Sequence, residues 1–436
     1  MEELRIGILG FGTVGRGVVT MLQEHGDEII KRSGVRLRLV RIATRTPSRD
    51  RGVDLGDVEL TNDVYRVVNG DDIDVVVELI GGYDPAEALV RDALNSGKHV
   101  VTANKALIAE RGVGLLDLAA NKGLELSFEA AVAGAVPIVK AMKESLAADP
   151  VERIYGILNG TCNYILTEMR EKGLSFESVL ADAQEKGFAE ADPTFDVEGI
   201  DAAHKLAILA AIAFGTPPNF SGIHIEGINH ISDVDIAWAM EMGYRIKLLG
   251  IAKRLEGGVE LRVQPTLVPE SSMVASVEGV FNSVFVRSAY AGTTMYHGRG
   301  AGEKPTASAV VADLLEIARN QSAGAKCRVA GLSVLTKHLK PLPVLDMAEL
   351  SGEYYLRLAV LDRPGVLADV TTVLARYDIS IDAIRQKGRS QKDAVPLVIV
   401  THKTTEQRIQ SGLKALEALE SVREKPRFIR IETGFA

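Results

Sequence analysis

The tightest constraint on this chain sits near its start, where a short apolar run at 4–9 meets Gly10-Phe11-Gly12-Thr13-Val14-Gly15 and then a helix-periodic segment at 14–22. A brief apolar run bounded by glycine predicts a fully buried parallel strand. Strand, glycine turn and helix in that order make a phosphate-binding turn. Gly10 permits the tight bend, Gly12 lets a pyrophosphate reach the backbone, and Gly15 lets helix and sheet pack closely. The spacing alone says little. Its place between strand and helix turns Gly10, Phe11, Gly12, Thr13, Val14 and Gly15 into a dinucleotide-contacting stretch.

A second strand, at 37–43, should end over an adenosine ribose, where an acid would accept from the 2′-hydroxyl of NAD. The chain instead reads Thr44-Arg45-Thr46-Pro47-Ser48-Arg49. Arginine suits a 2′-phosphate, so NADP is expected ahead of NAD, which stays possible. Arg45 is the candidate contact, and Arg49 reads equally well as a solvated loop residue. Further strands are expected at 73–80 and 99–102, with a helix between them reaching Asn95, capped by Asp84 and opened by Pro85. These alternating units predict a doubly wound parallel sheet. Lys105 follows the last of these strands by three residues, at the carboxyl edge where such sheets bind ligands. A cation in a first helical turn opposes the helix dipole, which favours a working lysine over an ordinary surface one.

With 436 residues the chain is too long for one ordinary core, so two or three domains are expected. Its 46% hydrophobic and 25% charged content matches globular usage, and a net charge of -8 with mixed signs offers no basic stripe for nucleic acid or membrane. The N-terminus lacks a signal-peptide pattern and no apolar run has the length of a membrane span, which predicts a cytoplasmic protein. Cys162 and Cys327 are too few and too far apart for a disulfide scaffold or a zinc site, and both read as core residues.

After Phe128 the pattern changes, and a second domain begins near there. Its strand-like RIYGILNGTCNYIL turns at Asn159-Gly160. Further strands are expected near 247–251 and 260–266. Residues 188–209, FAEADPTFDVEGIDAAHKLAIL, place five carboxylates (Glu190, Asp192, Asp196, Glu198, Asp201) ahead of an apolar helix at 201–214 that keeps one lysine, Lys205. Asp201 and Lys205 are four residues apart and share a helical face. A surface ion pair is the bland account. Alanine, leucine and isoleucine surround the pair, however, and buried charges are tolerated chiefly at active sites. His204 reads as a packing residue, and Asp192 and Glu198 as surface acids.

The stretches GFGTVGRG, VTANKALIA, NGTCNYIL, FAEADPTFDVEGIDAAHKLAIL and GRGAGEKPTASAVVADL, in order over 1 to about 335, resemble homoserine dehydrogenase. The resemblance implies NAD(P)H-dependent reduction of L-aspartate 4-semialdehyde to L-homoserine and the reverse. It implies Lys205 as proton donor, Lys105 as a second catalytic, substrate-orienting or cofactor-side lysine, and Glu190 and Asp201 as ligands of the substrate's amino and hydroxyl ends. Asp196 belongs to the same acidic motif with a less certain role. The resemblance also implies a monovalent cation such as Na+, held mostly by carbonyls at Glu129, Val132, Gly134 and Val136. Gly302, in the returning glycine loop before Pro305 and Thr306, is implied as a cofactor contact.

Beyond Ala330 a proline-bearing connector leads to strands and helices in β-α-β-β-α-β order, a ferredoxin-like pattern whose DRPGVLADV turn resembles an ACT domain. The expected layout is a Rossmann-type domain at 1–130 completed by a helix at about 303–335, an α+β substrate and dimerisation domain at 131–302, a linker at 336–352, and a regulatory ACT domain at 353–436. The implied effector is an amino acid, threonine first, and the expected assembly a homodimer or homotetramer. Two rivals stay open. A dehydrogenase of another small carbonyl or hydroxy acid would want a catalytic histidine system. A non-catalytic amino-acid sensor would reuse the scaffold without the chemistry.

Overall fold

The computed structural model describes residues 2–387 and 393–435. Its first layer follows from the buried apolar runs. β1 (Glu2–Leu9), α1 (Thr13–Ser33), β2 (Val35–Ala43), β3 (Glu59–Thr61), α2 (Tyr65–Val68), β4 (Val75–Glu78), α3 (Ala86–Asn95), β5 (His99–Thr102), α4 (Lys105–Asn121) and β6 (Leu126–Ser127) succeed one another. The strands form a sheet in the order β3-β2-β1-β4-β5-β6, parallel throughout. The order reverses between β1 and β4, the place where open α/β sheets take ligands. α3 departs from expectation: Pro85 itself is the N-cap, so Asp84 lies one residue too early to cap it, and the end carries no side-chain cap.

The second layer is α+β. α5 (Ile138–Lys140), β7 (Val151–Ile157), α6 (Gly160–Lys172), α7 (Phe176–Glu185), α8 (Thr194–Val197), α9 (Ile200–Phe214), β8 (His224–Ile225) and α10 (Asp233–Glu241) lead to the long hairpin β9 (Tyr244–Leu255) and β10 (Gly258–Pro269), then to β11 (Phe281–Ser288) and β12 (Gly292–Arg299). The expected strand-turn-strand at RIYGILNGTCNYIL is a strand followed by a helix. Asn159 accepts from the Cys162 N–H and caps α6, and most residues at 162–169 are buried, which erases the amphipathic period that would have betrayed a helix. α11 (Glu303–Ser322) returns to the first layer, where Ala307, Val310 and Leu314 share a core with Leu4, Ile6 and Val18. It stops at Ser322, well short of 335, and positive φ at Gly324 and Cys327 marks the irregular chain beyond.

The last unit comprises β13 (Ser351–Leu361), α12 (Val366–Arg376), β14 (Ile381–Gln386), β15 (Ala394–Thr401), β16 (Thr404–Thr405), α13 (Glu406–Glu417) and β17 (Arg427–Ile431). Its four main strands run β17-β13-β15-β14, antiparallel, over their own core. The sequence reading sets this unit off behind a linker at 336–352. The structure stitches it in, because β17 also pairs in parallel with β10, Arg430 opposite Thr266 and Ile431 opposite Leu267. One sheet therefore runs from β12 to β14 through β17. Buried charges lock the seam. Arg430 donates to both Glu406 oxygens at 2.9 and 2.6 Å and to Glu226 at 2.9 Å, while Glu432 accepts from Lys253 at 2.5 Å and Arg262 at 2.9 Å.

Removing one member of a buried ion cluster strands the others. Arg430→Ala is expected to lower the unfolding free energy by about 3–5 kcal/mol, read from urea titration. A loss below about 1 kcal/mol would show that the seam is not structural.

Candidate active site

At the carboxyl ends of β1, β2 and β4 the glycine turn opens onto a cleft lined by Gly10, Phe11, Gly12, Thr13 and Arg45, with Thr44, Thr46, Arg49 and Arg51. Gly10 has φ 102° and a side chain there would press on the Leu79 carbonyl at 2.8 Å, so only glycine fits. Gly12 precedes α1 with open space above it, and the first turn of α1 carries no acid. Free amide groups in that turn suit a phosphate. A Cβ on Gly15 would meet the Gly10 carbonyl at 2.6 Å, so this residue packs against the turn.

Arg51 was missed by sequence reasoning. Its guanidinium donates to the carbonyls of Phe11 at 2.7 Å, Thr46 at 3.0 Å and Arg49 at 2.8 Å and to the Thr44 hydroxyl at 3.0 Å, tying the β2 loop to the glycine turn. Nothing in TRTPSRDR distinguishes it from its neighbours.

An adjoining cleft is lined by Val14, Lys105, Gly134, Asn159, Glu190, Asp196, Asp201, Lys205 and Gly302, so residues far apart in sequence meet. Its centre is Asp201, 4% exposed, in the first turn of α9. One carboxylate oxygen lies 2.8 Å from Lys105 Nζ; the other accepts from Lys205 Nζ at 2.7 Å and from Asn159 Nδ2 at 2.8 Å. Lys205 Nζ also donates to the Leu158 carbonyl at 2.7 Å, which commits two of its three N–H bonds.

The environment separates the charges. Burial opposes ionisation of Asp201, but Lys205 and Lys105 overcome it and hold the carboxyl well below the usual range. Burial lowers the Lys205 ammonium, Lys105 adds to that, and Asp201 offsets only part. Lys105 is also opposed by burial, yet Asp201 raises it on balance. Asp196 is raised by burial and by Asp201, against a lowering hydrogen bond from Asn159.

The remaining candidates divide. Glu190 is exposed on the cleft wall. Asp192 is exposed and accepts from the Thr194 N–H at 3.1 Å, and Glu198 accepts from Asn229 at 2.6 Å. His204 is buried, stacks against Phe220 at 4.1 Å and contacts Glu110 at 2.9 Å, a packing role. Cys162 is buried, whereas Cys327 is only half-buried. Gly302, at φ 117°, precedes α11. Glu129, Val132, Gly134 and Val136 fall on one loop, of which Gly134 reaches the cleft. The Glu129 carboxylate accepts instead from the amides of Val139 at 3.0 Å and Lys140 at 2.8 Å, and burial with Asp313 nearby pushes it up to about 7.

Comparison with known proteins agrees across the chain. Residues 10–129 match a family model described as the NAD binding domain of homoserine dehydrogenase, residues 137–315 one described as homoserine dehydrogenase, and residues 354–421 an ACT domain. The homoserine dehydrogenase of Pseudomonas aeruginosa is 48% identical over 99% of both chains, and that of Bacillus subtilis 39% identical over 99% of both. A crystal structure of a homoserine dehydrogenase from Thiobacillus denitrificans superposes with a TM-score of 0.92 at 48% identity over 99% of both chains. A hyperthermophilic archaeal homoserine dehydrogenase in complex with NADPH superposes with a TM-score of 0.62 at 28% identity, covering 72% of this chain and 97% of that one.

A depressed carboxyl stabilises the fold above the ordinary carboxylate pKa of about 4, and that contribution is lost as pH falls toward its folded value. Asp201→Asn is therefore expected to cost about 3 kcal/mol or more near pH 7, with the gap to wild type narrowing as pH drops toward about 3, read from denaturant midpoints. A gap that stays constant with pH would place the stabilisation elsewhere.

Proposed function

The chain belongs to the homoserine dehydrogenase family and is an oxidoreductase that interconverts L-aspartate 4-semialdehyde and L-homoserine with a nicotinamide cofactor, and we propose that Lys205 gives its proton to the oxygen formed in that reaction. The observation that carries this reading is the shared carboxylate of Asp201, which holds Lys105 and Lys205 on the cleft wall next to the glycine turn. A bound dihydronicotinamide supplies the hydride. As the aldehyde oxygen turns into an alkoxide, the uncommitted N–H of Lys205 stabilises the charge and passes its proton across. Burial, by lowering that ammonium, brings its acidity closer to the task. Lys105, raised by Asp201, stays charged and orients the substrate. Glu190 and Asp201 receive the substrate's ammonium and hydroxyl ends, and Asp196 holds the acidic array beside them.

The cofactor reading is NADPH ahead of NADH. It is supported by Arg45 on the cleft wall, by the lack of a carboxylate at the Ala43-Thr44-Arg45 tip, and by the archaeal relative solved with NADPH. Gly10, Phe11, Gly12, Thr13, Val14 and Gly302 are the proposed backbone contacts. A monovalent cation at the loop of Glu129, Val132, Gly134 and Val136 belongs to the same reading. The proposed donors are the carbonyls of these residues. Threonine as effector of the C-terminal unit, a homo-oligomer and a cytoplasmic location complete it. Among the described residues no helix is long and apolar enough to cross a membrane.

The test is cofactor oxidation with aspartate semialdehyde, NADPH and NADH side by side, for wild type and Lys205→Ala. Wild type is expected to favour NADPH, and the variant to lose roughly a hundredfold or more in kcat with cofactor affinity kept. Near-normal turnover by the variant removes the proton-donor role. Equal use of both cofactors removes the role given to Arg45.

A further inference from the structure

We propose that Asn159 is a positioning residue of this reaction, its side-chain amide joining Asp196 and Asp201 into one array that fixes Lys205 against the substrate oxygen. Asn159 is 4% exposed at the turn between β7 and α6. Its Oδ1 accepts from the Cys162 N–H at 2.8 Å, and its Nδ2 donates to Asp196 at 2.7 Å and to Asp201 at 2.8 Å. Those three partners settle the amide orientation, because the flipped form would set a carbonyl oxygen against two carboxylates and an N–H against an N–H. Both donors are thereby spent on acids of the cleft.

The Asp201 oxygen that Asn159 reaches is the one that accepts from Lys205, and the carbonyl of the preceding residue, Leu158, accepts from Lys205 as well. Asn282 Nδ2 donates to that same carbonyl at 2.9 Å, which holds it in place. The dipeptide Leu158-Asn159 thus controls both committed N–H bonds of Lys205, one directly and one through Asp201. A helix cap alone would not require this residue, since aspartate caps equally well. What aspartate lacks is the pair of donors.

The array sets the partly buried Asp196 beside the buried Asp201. Asp196 faces Asp201 and Lys205 from α9, Lys105 from the start of α4 and the Cys162 thiol from α6, with Glu190 also on the cleft wall. Burial and Asp201 push Asp196 toward its neutral form, and the Asn159 hydrogen bond opposes this. Without that bond Asp196 takes up its proton at higher pH, and the geometry of Asp201 and Lys205 loosens with it.

The inference rests on the roles proposed for Asp201 and Lys205, and the test keeps the two apart. Asn159→Asp retains the cap but sets an acid against Asp196 and Asp201 in place of both donors; Asn159→Ala removes cap and donors together without adding a charge. Both are expected to fold by circular dichroism, to bind NADPH within about twofold of wild type, to lose roughly a hundredfold in kcat, and to shift the acid limb of the kcat profile upward. An Asn159→Asp enzyme with wild-type rate and profile, alongside a slow Asn159→Ala, would reduce the residue to a helix cap and overturn the proposal. Failure of both variants to fold overturns it too, because the residue then serves folding. Lys205→Ala run in parallel separates the readings. If that variant is inactive while Asn159→Asp is unimpaired, only the present inference fails; if it turns over normally, the proton-donor assignment fails and takes this inference with it.

Discussion

A single carboxylate, that of Asp201, holds the buried charges of the candidate cleft together. Asp201 lies 2.8 Å from one ammonium and 2.7 Å from another, with all three groups drawn together from α4 and α9. An isolated charge moved into a protein interior costs several kcal/mol even after relaxation, so neither Lys205 nor Asp201 could stay ionised there alone. Asp196 supplies a second acid to the set, and two ammonium groups then stand against two carboxylates. The balance is close, and its members shift in opposite directions: Asp201 and Lys105 toward their charged forms, Asp196 and Lys205 toward their neutral ones. Groups whose environments push them apart in this way are the material of acid–base chemistry.

The scaffold serves that array from both sides. α9 is buried nearly all round, which keeps Asp201 and Lys205 from escaping to water, and its first turn is favourable for an acid. The parallel sheet brings Lys105 to the same place, at the carboxyl end of β5, where Asn104 caps α4 and sets its first residue. Farther off, β17 closes the edge of β10, so the C-terminal unit and the substrate-side sheet share hydrogen bonds and a charged seam. An effector bound to that unit would act through a continuous sheet, not a loose tether, which is a physical route for coupling two states.

Much of this was legible because the relevant signals are local. GFGTVG between a buried run and a helical period needs only spacing to be read, and Asp201 with Lys205 in an apolar helix needs only the cost of buried charge. What escaped reading depended on partners far along the chain. Asn159 looks like a turn residue until Asp196 and Asp201 fold against it; Arg51 looks like a loop cation until it closes on Phe11. The helix at Gly160–Lys172 was hidden because burial of most of its faces removed the periodicity. The pairing of β17 with β10 was not legible because the charges that mark it, Arg262 and Arg430, look like solvent-facing residues until Glu432, Glu226 and Glu406 fold against them.

If Asp201 acts through the lysines it holds, a double-mutant cycle on kcat/KM measures that coupling directly. Asp201→Asn, Lys205→Ala and the double variant would be assayed with aspartate semialdehyde and NADPH. If the two groups work as a unit, the double variant loses less than the sum of the two single losses, by a coupling of about 2 kcal/mol or more. Losses that add within about 0.5 kcal/mol would mean that Asp201 and Lys205 contribute independently and that Asp201 does not act through Lys205.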